Sequence, residues 1–443
     1  MFSQLEQFLF YFLFFAIPFQ TRKILYHSGW YFNEWQSVSV YASDLILLAL
    51  FIFWAVNNRH RKPVINRYDY FLFGFLAAAA ISVKNSSDFY IGAFLWLKLA
   101  EFSLLYFYIK TYAILKFDFV KAVHVLLLGG LFQAIIAIGQ FLKQGSLGLI
   151  LFGESTFGPD MTGIASFFVD SGEKVIRAYG ITPHPNVLAA YLFLSIFAFY
   201  FLVIYSAKSS VIYWAYPVIL SGFFFTFSRT IIFLWAVGVS LIMAIIYFNG
   251  PFKRKFLDNE FLRAKIIKTV WLTAITCMFF VVFYQPEIAS RLTLSSKEEA
   301  VQLRVFYNEE SLKGGINLFG IGPGDFTGWL MEQNPNLPVY IYQPVHNIYL
   351  LIYTEIGIVG FGLFMLFLGG LLYEFIKKFK LREIKYHSFI LITLSILFMG
   401  LFDHFLLTIQ QGRFVFWLSL ALFAIGTSSL NKRFLENGRE EIQ

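Results

Sequence analysis

The sequence predicts an all-α polytopic membrane protein, and three observations carry that prediction. The chain of 443 residues is 58% hydrophobic and 21% aromatic. Only 14% of its residues are charged, against about 25% in soluble domains. Its mean hydropathy is +0.65, so its apolar surface has to be buried in lipid.

A spanning helix needs roughly 20 mostly apolar residues. Twelve such runs are legible, at about 5–20, 41–56, 69–83, 90–110, 119–141, 187–205, 211–227, 231–248, 269–284, 347–373, 388–402 and 414–429. The first has no basic n-region and no small-residue cleavage site, so it reads as a retained span. Several runs are short and lean on flanking Trp, Tyr, Lys or Arg anchors. The fourth carries Lys98 with Glu101 three residues on, a pairing that a charge inside a span requires. The seventh and eighth are separated only by Ser228-Arg229-Thr230, which forces a tight hairpin. Two longer polar intervals remain, 142–186 and 285–346, as inserts in one polytopic domain covering 1–443.

Basic residues set the orientation. With an even number of spans both termini share a side, and 22 of the 35 Lys and Arg fall in the short loops of that side. The positive-inside rule puts the termini in the cytoplasm and both inserts outside. Chemistry in those inserts has no direct access to cytoplasmic nucleotides. The formal charge of +8 is explained by short loops meeting anionic headgroups and implies no nucleic acid. The single cysteine, Cys277, allows neither an intramolecular disulfide nor a cysteine metal cluster. No Walker loop, no histidine pair at zinc spacing, no acidic cluster and no internal repeat is present in the sequence.

The first insert ends on Arg177-Ala-Tyr-Gly-Ile-Thr-Pro-His184-Pro-Asn186. The two prolines keep the backbone around His184 extended, and Asn186 is placed to cap the following span. A rigid turn with a cap and a substrate-contacting role stand level for His184. Arg177 reads more readily as a solvated charge than as a ligand clamp. Arg229, close to hydrocarbon, either snorkels to the interface or meets an anion beside a helix N-terminus.

In the large loop, Ser295 and Ser296 precede Glu298 and Glu299 at capping-box spacing, which predicts a helix running to about Gly314. On that helix Arg304 has no acidic residue at i±3 or i±4. It is available for phosphate or pyrophosphate oxygens, or is a solvated helix charge. The turn Gly320-Ile321-Gly322-Pro323-Gly324 either admits a ligand close to backbone or is only a tight turn. His346 stands where the loop re-enters the membrane and suits general-base work. Glu355, nine residues on, lies about 900° around the helix and roughly 13 Å deeper. It cannot orient His346 and is expected to be satisfied by another helix.

The order Arg177-x-Tyr-Gly-x-x-x-His184-Pro-Asn, Ser228-Arg229-Thr230, Arg304, Gly320-x-Gly-Pro-Gly, then His346-Asn-x-x-Leu-x-x-x-x-Glu355-x-Gly357-x-x-Gly360 resembles the O-antigen ligase and polymerase superfamily. The similarity spans about 160–425. It implies a helical fold of the lipid-linked glycosyltransferase type and a metal-independent, inverting reaction without cofactor. It further implies a glycan donor on undecaprenyl pyrophosphate, used at the outer face of the bacterial cytoplasmic membrane. By motif position, Arg229 and Arg304 would engage the donor pyrophosphate and His346 would activate the acceptor. Tyr307 departs from the pattern, since many relatives carry tryptophan there. The expected acceptor is the lipid A core, a further repeat unit, or a protein hydroxyl. From a different class, a lipid-linked glycan flippase or other transporter is the alternative.

Overall fold

The computed structural model describes residues 2–29, 32–57, 64–205, 213–248, 250–292, 299–378 and 384–427. The serines of the expected capping box, Ser295 and Ser296, and Glu298 lie outside the described residues.

The protein is mostly helical, and each of the twelve apolar runs meets a helix. The first five helices are α1 (Phe2–Ala16), α2 (Ala42–Asn57), α3 (Asp69–Ser82), α4 (Phe89–Lys116) and α5 (Phe119–Lys143). After the first insert come α6 (Pro185–Tyr205), α7 (Ala215–Phe224), α8 (Arg229–Phe248), α9 (Gly250–Asp258) and α10 (Glu260–Phe283). The large loop folds into α11 (Gln285–Leu292), α12 (Glu299–Lys313) and α13 (Phe326–Gln333). The chain closes with α14 (Ile348–Lys378), α15 (Ile384–Met399), α16 (Phe405–Thr408) and α17 (Gln410–Thr427). Among the described residues six helices, α4, α5, α6, α8, α10 and α14, are long and apolar enough to cross a membrane.

Two short antiparallel hairpins depart from the all-helical expectation: β1 (Arg22–His27) with β2 (Ser37–Tyr41), and β3 (Ser166–Phe168) with β4 (Lys174–Ile176). Both sit in connecting segments, where period-two runs such as Ser37-Val-Ser-Val-Tyr41 favour pairing over helix. They share one end of the helix bundle with the large loop. Ser290 Oγ donates to Phe168 O at 2.6 Å, and Gln36 Nε2 donates to Gly324 O at 2.8 Å.

The core is built around α6, whose side chains from Val187 to Phe199 are all buried. By contrast α10 exposes Val270, Trp271, Ile275, Met278 and Val282, the surface a lipid-facing helix presents. Two lysines inside the bundle, Lys98 and Lys110, meet carboxylates, as the low dielectric favours. Lys110 meets Asp69 at 2.5 Å with both side chains fully buried. Lys98 meets Asp44 at 2.5 Å and the expected Glu101 at 3.0 Å.

The glycine turn of the large loop is taken up by packing. Its backbone runs alongside a break in α14, with Ile321 N donating to Thr354 O and Gly322 N to Glu355 O, both at 3.0 Å. Ile358 N returns a bond to Asn317 O at 2.9 Å. Gly357 makes the break at φ +81°, and a Cβ on Gly320 would stand 2.3 Å from the Glu355 carbonyl carbon. Only glycine tolerates both the left-handed φ and that approach. Glu355, expected to be satisfied by another helix, faces the start of α13, where the backbone N–H groups of Gly324 and Phe326 favour its carboxylate.

Candidate active site

The site is assembled around the turn 400–404 between α15 and α16. Asn347 caps α14, its Oδ1 accepting Tyr349 N at 2.9 Å and Leu350 N at 3.2 Å. His346 is therefore held just outside the helix. Ile348 N donates to Gly400 O at 2.8 Å, which fastens the start of α14 to the turn carrying Asp403 and His404. Arg304 reaches the same turn from α12: its Nε donates to Phe402 O at 3.1 Å and its Nη1 to Ala300 O at 2.9 Å. Its Nη2 has no hydrogen-bond partner among the described residues, and no carboxylate pairs with it there.

Arg304 and Tyr307 share a face of α12 by their i, i+3 spacing. The Tyr307 ring stacks on His346 with centroids 5.0 Å apart and planes 6° from parallel. Its hydroxyl donates to Ile341 O at 2.6 Å. His346 Nδ1 lies 3.2 Å from Pro344 O, which assigns the proton to Nδ1 and leaves the Nε2 lone pair for chemistry. The His404 ring stands edge-on to His346 at 4.7 Å and to Trp35 at 4.8 Å. Trp35 enters from the segment between β1 and β2, which Asn33 docks on the large loop through Tyr342 O at 3.3 Å.

The end of the first insert joins the same turn, with two corrections to the sequence reading. Arg177 is buried, not solvated: it is 8% exposed, its Nε donates to Thr226 O and its Nη2 to Asn186 Oδ1, both at 2.6 Å. Asn186 does not cap α6, which already begins at Pro185. Its Nδ2 donates to Asp403 Oδ2 at 2.7 Å, and its Oδ1 also accepts Ser228 Oγ at 3.0 Å. His184 is half-buried, with Nδ1 accepting Asn186 N at 3.1 Å, so Nε2 carries its proton. Ser228 ties this chain of bonds to the start of α8, where Arg229 follows at once. The reversal between α7 and α8 is as tight as expected, with Phe227 at φ 45°.

Burial and mutual charge set the electrostatics. Burial first, then Asp403 in opposition and Arg304 in concert, holds the His346 imidazole down to about 4. Burial and Arg177 bring His184 to about 3, and burial and His346 bring His404 to about 3. Burial also lowers Arg177, to about 9, aided by Arg291. For Asp403, burial is outweighed by His404, His346, His184 and the Asn186 amide, which hold the carboxyl below its usual range. The imidazoles are neutral near pH 7 and the carboxylate is ionised.

Two cavities flank the site. An apolar one of about 350 Å³ opens beside it, lined by Tyr349, Leu397, Leu401 and deeper residues of α14, α15 and α17. A smaller one of about 100 Å³ lies behind it, where Lys98, Glu355 and Arg413 stand among mostly apolar side chains such as Phe75 and Leu99.

The structure thus brings His346, Arg304, His184 and Arg177 to one turn, with Arg229 opening the helix tied to it. Sequence reasoning missed Asp403 and His404. The signal available was two adjacent titratable residues directly after an apolar run. Metal-ligating atoms of His346, Asp403 and His404 all lie within 4.8 Å of one another, a set that sequence spacing does not reveal. No family model and no curated protein compared with the chain matches it.

Proposed function

We propose that the chain is a membrane glycosyltransferase that moves a glycan from undecaprenyl pyrophosphate to an acceptor hydroxyl on the outer face of the bacterial cytoplasmic membrane, in the manner of O-antigen ligases and polymerases. The observation that carries this reading is the Nε2 lone pair of His346 on the same turn as the open guanidinium edge of Arg304. In the proposed step, His346 Nε2 takes the proton of the acceptor hydroxyl as its oxygen attacks the anomeric carbon. The bond from that carbon to the pyrophosphate breaks on the opposite face, with inversion. The electron pair leaves with the lipid pyrophosphate, whose charge Arg304 and Arg229 stabilise. Preorganised charge of this kind often contributes more to catalysis than any other single effect. The apolar cavity from Tyr349 to the interior of the bundle suits the first isoprenoid units of the donor.

The test is transfer by the purified chain from lipid-linked donor to a saccharide or peptide acceptor, with donor binding measured separately. Absence of transfer with every acceptor class would overturn the assignment. The glycan ladder of a deletion strain separates the types: single repeats on the acceptor point to a polymerase, and long polymer stranded on the carrier to a ligase.

A lipid-linked glycan transporter is the second reading. It is favoured by the break in α14 beside a charged cavity, since transporters build sites at discontinuous helices. Translocation of fluorescent lipid-linked glycan across proteoliposomes, with no covalent transfer, would select it.

A further inference from the structure

We propose that His346, Asp403 and His404 form a binding site for a first-row divalent cation such as zinc, and that its occupancy withdraws His346 from proton transfer. The metal site stands on geometry alone; the blockade rests on the glycosyltransferase reading. Two imidazoles and one carboxylate, with ligating atoms within 4.8 Å of one another, are a donor set that selects zinc, iron or nickel over magnesium and calcium.

The groups around these three side chains are those that metal ligands require. Metal-bound histidines donate their second ring N–H to a carbonyl or hydroxyl. His346 Nδ1 meets Pro344 O at 3.2 Å. His404 Nδ1 meets Thr408 Oγ1 at 2.7 Å, and that hydroxyl itself donates to His404 O at 3.1 Å, so the imidazole is the donor. Both rings therefore keep Nε2 as a lone pair. Asp403 is oriented by Asn186 at 2.7 Å, which Arg177 and Ser228 hold in turn. Nitrogen ligands lie about 2.0–2.1 Å from zinc, so loading draws the three groups together by about an ångström. Tyr307 stacks on His346 and Trp35 packs at right angles to His404, walling the imidazoles in. Arg304 and Arg177 disfavour a cation, which the Asp403 carboxylate offsets; a loaded ion occupies the lone pair that the acceptor proton needs.

The experiment uses the full-length chain in detergent, stripped of metal and equilibrated with Zn²⁺ by dialysis, and with Co²⁺ read by its visible absorption. The wild type is expected to take up about one ion that Mg²⁺ does not displace. His404→Ala and Asp403→Asn should bind more than about 10-fold more weakly. Thr408→Val removes only an outer partner and should cost about 10–100-fold; it keeps the test decisive if a ligand variant fails to fold. Zinc affinity unchanged in His404→Ala and Thr408→Val overturns the site. Zinc uptake with undiminished transfer, where transfer is measurable, overturns the blockade. Dialysis needs no substrate, so a chain inactive as a transferase still decides the metal site.

Discussion

At the scale of single residues, the proposed reaction divides the work between His346 and the arginines. His346→Ala should abolish transfer while leaving donor binding largely intact, because loss of a general base costs about 10²–10⁴ in rate and the proposal assigns the pyrophosphate to the arginines. A normal turnover number in that variant would move the base to His184 or to the substrate. His184→Ala should be milder, since its Nδ1 bonds a backbone N–H of its own turn. Arg229→Lys and Arg304→Lys should each lose most activity with normal membrane insertion, because lysine lacks the planar fork; full activity would return that residue to a snorkelling or solvated role. Arg177 makes a different prediction. With two charge-assisted bonds in a buried setting, each worth about 1.5–3 kcal/mol, Arg177→Ala should lower the melting temperature of the purified protein. A melt equal to wild type would show that its bonds hold nothing together.

At the scale of elements, the clasp between the large loop and the break in α14 is the feature to probe. Gly320 and Gly315 both have positive φ, +69° and +68°, but only at Gly320 would a Cβ strike backbone. Strained backbone costs about 1–3 kcal/mol, so Gly315→Ala should be tolerated. Gly320→Ala adds the collision with α14 and should destabilise the protein markedly, read by thermal melting. Equal melting of the two variants would mean that the clasp is not structural. The elements themselves were legible in the sequence because apolar runs of spanning length leave helix as the answer, and Ser228-Arg229-Thr230 leaves no room for more than a reversal. The hairpins β1–β2 and β3–β4 were not, since each is only a few residues long and is held by its packing on the large-loop end of the bundle. The cap of α6 was misread because a side chain suited to capping, Asn186, found three stronger partners across the fold.

At the scale of the whole molecule, the prediction concerns sidedness. In a Cys277→Ser background, a cysteine at the exposed Thr156 should react with an impermeant reagent in intact spheroplasts, and one at Asn259 should not. Labelling at Asn259 would reverse the expected orientation and overturn the proposed extracytoplasmic mechanism. The sequence by itself determined the helical membrane class, the places of the inserts, the Lys98–Glu101 pair and the position of His346 at a helix mouth. Each of these depends on local composition or on spacing within one helix. Tertiary structure alone decided that Asp403 and His404 stand beside His346, that Arg177 is buried against Thr226 and Asn186, and that the glycine turn packs on Glu355. Those contacts join segments far apart in the chain. No periodicity or propensity encodes them, because they exist only once α14, α15 and the two inserts meet at one end of the bundle.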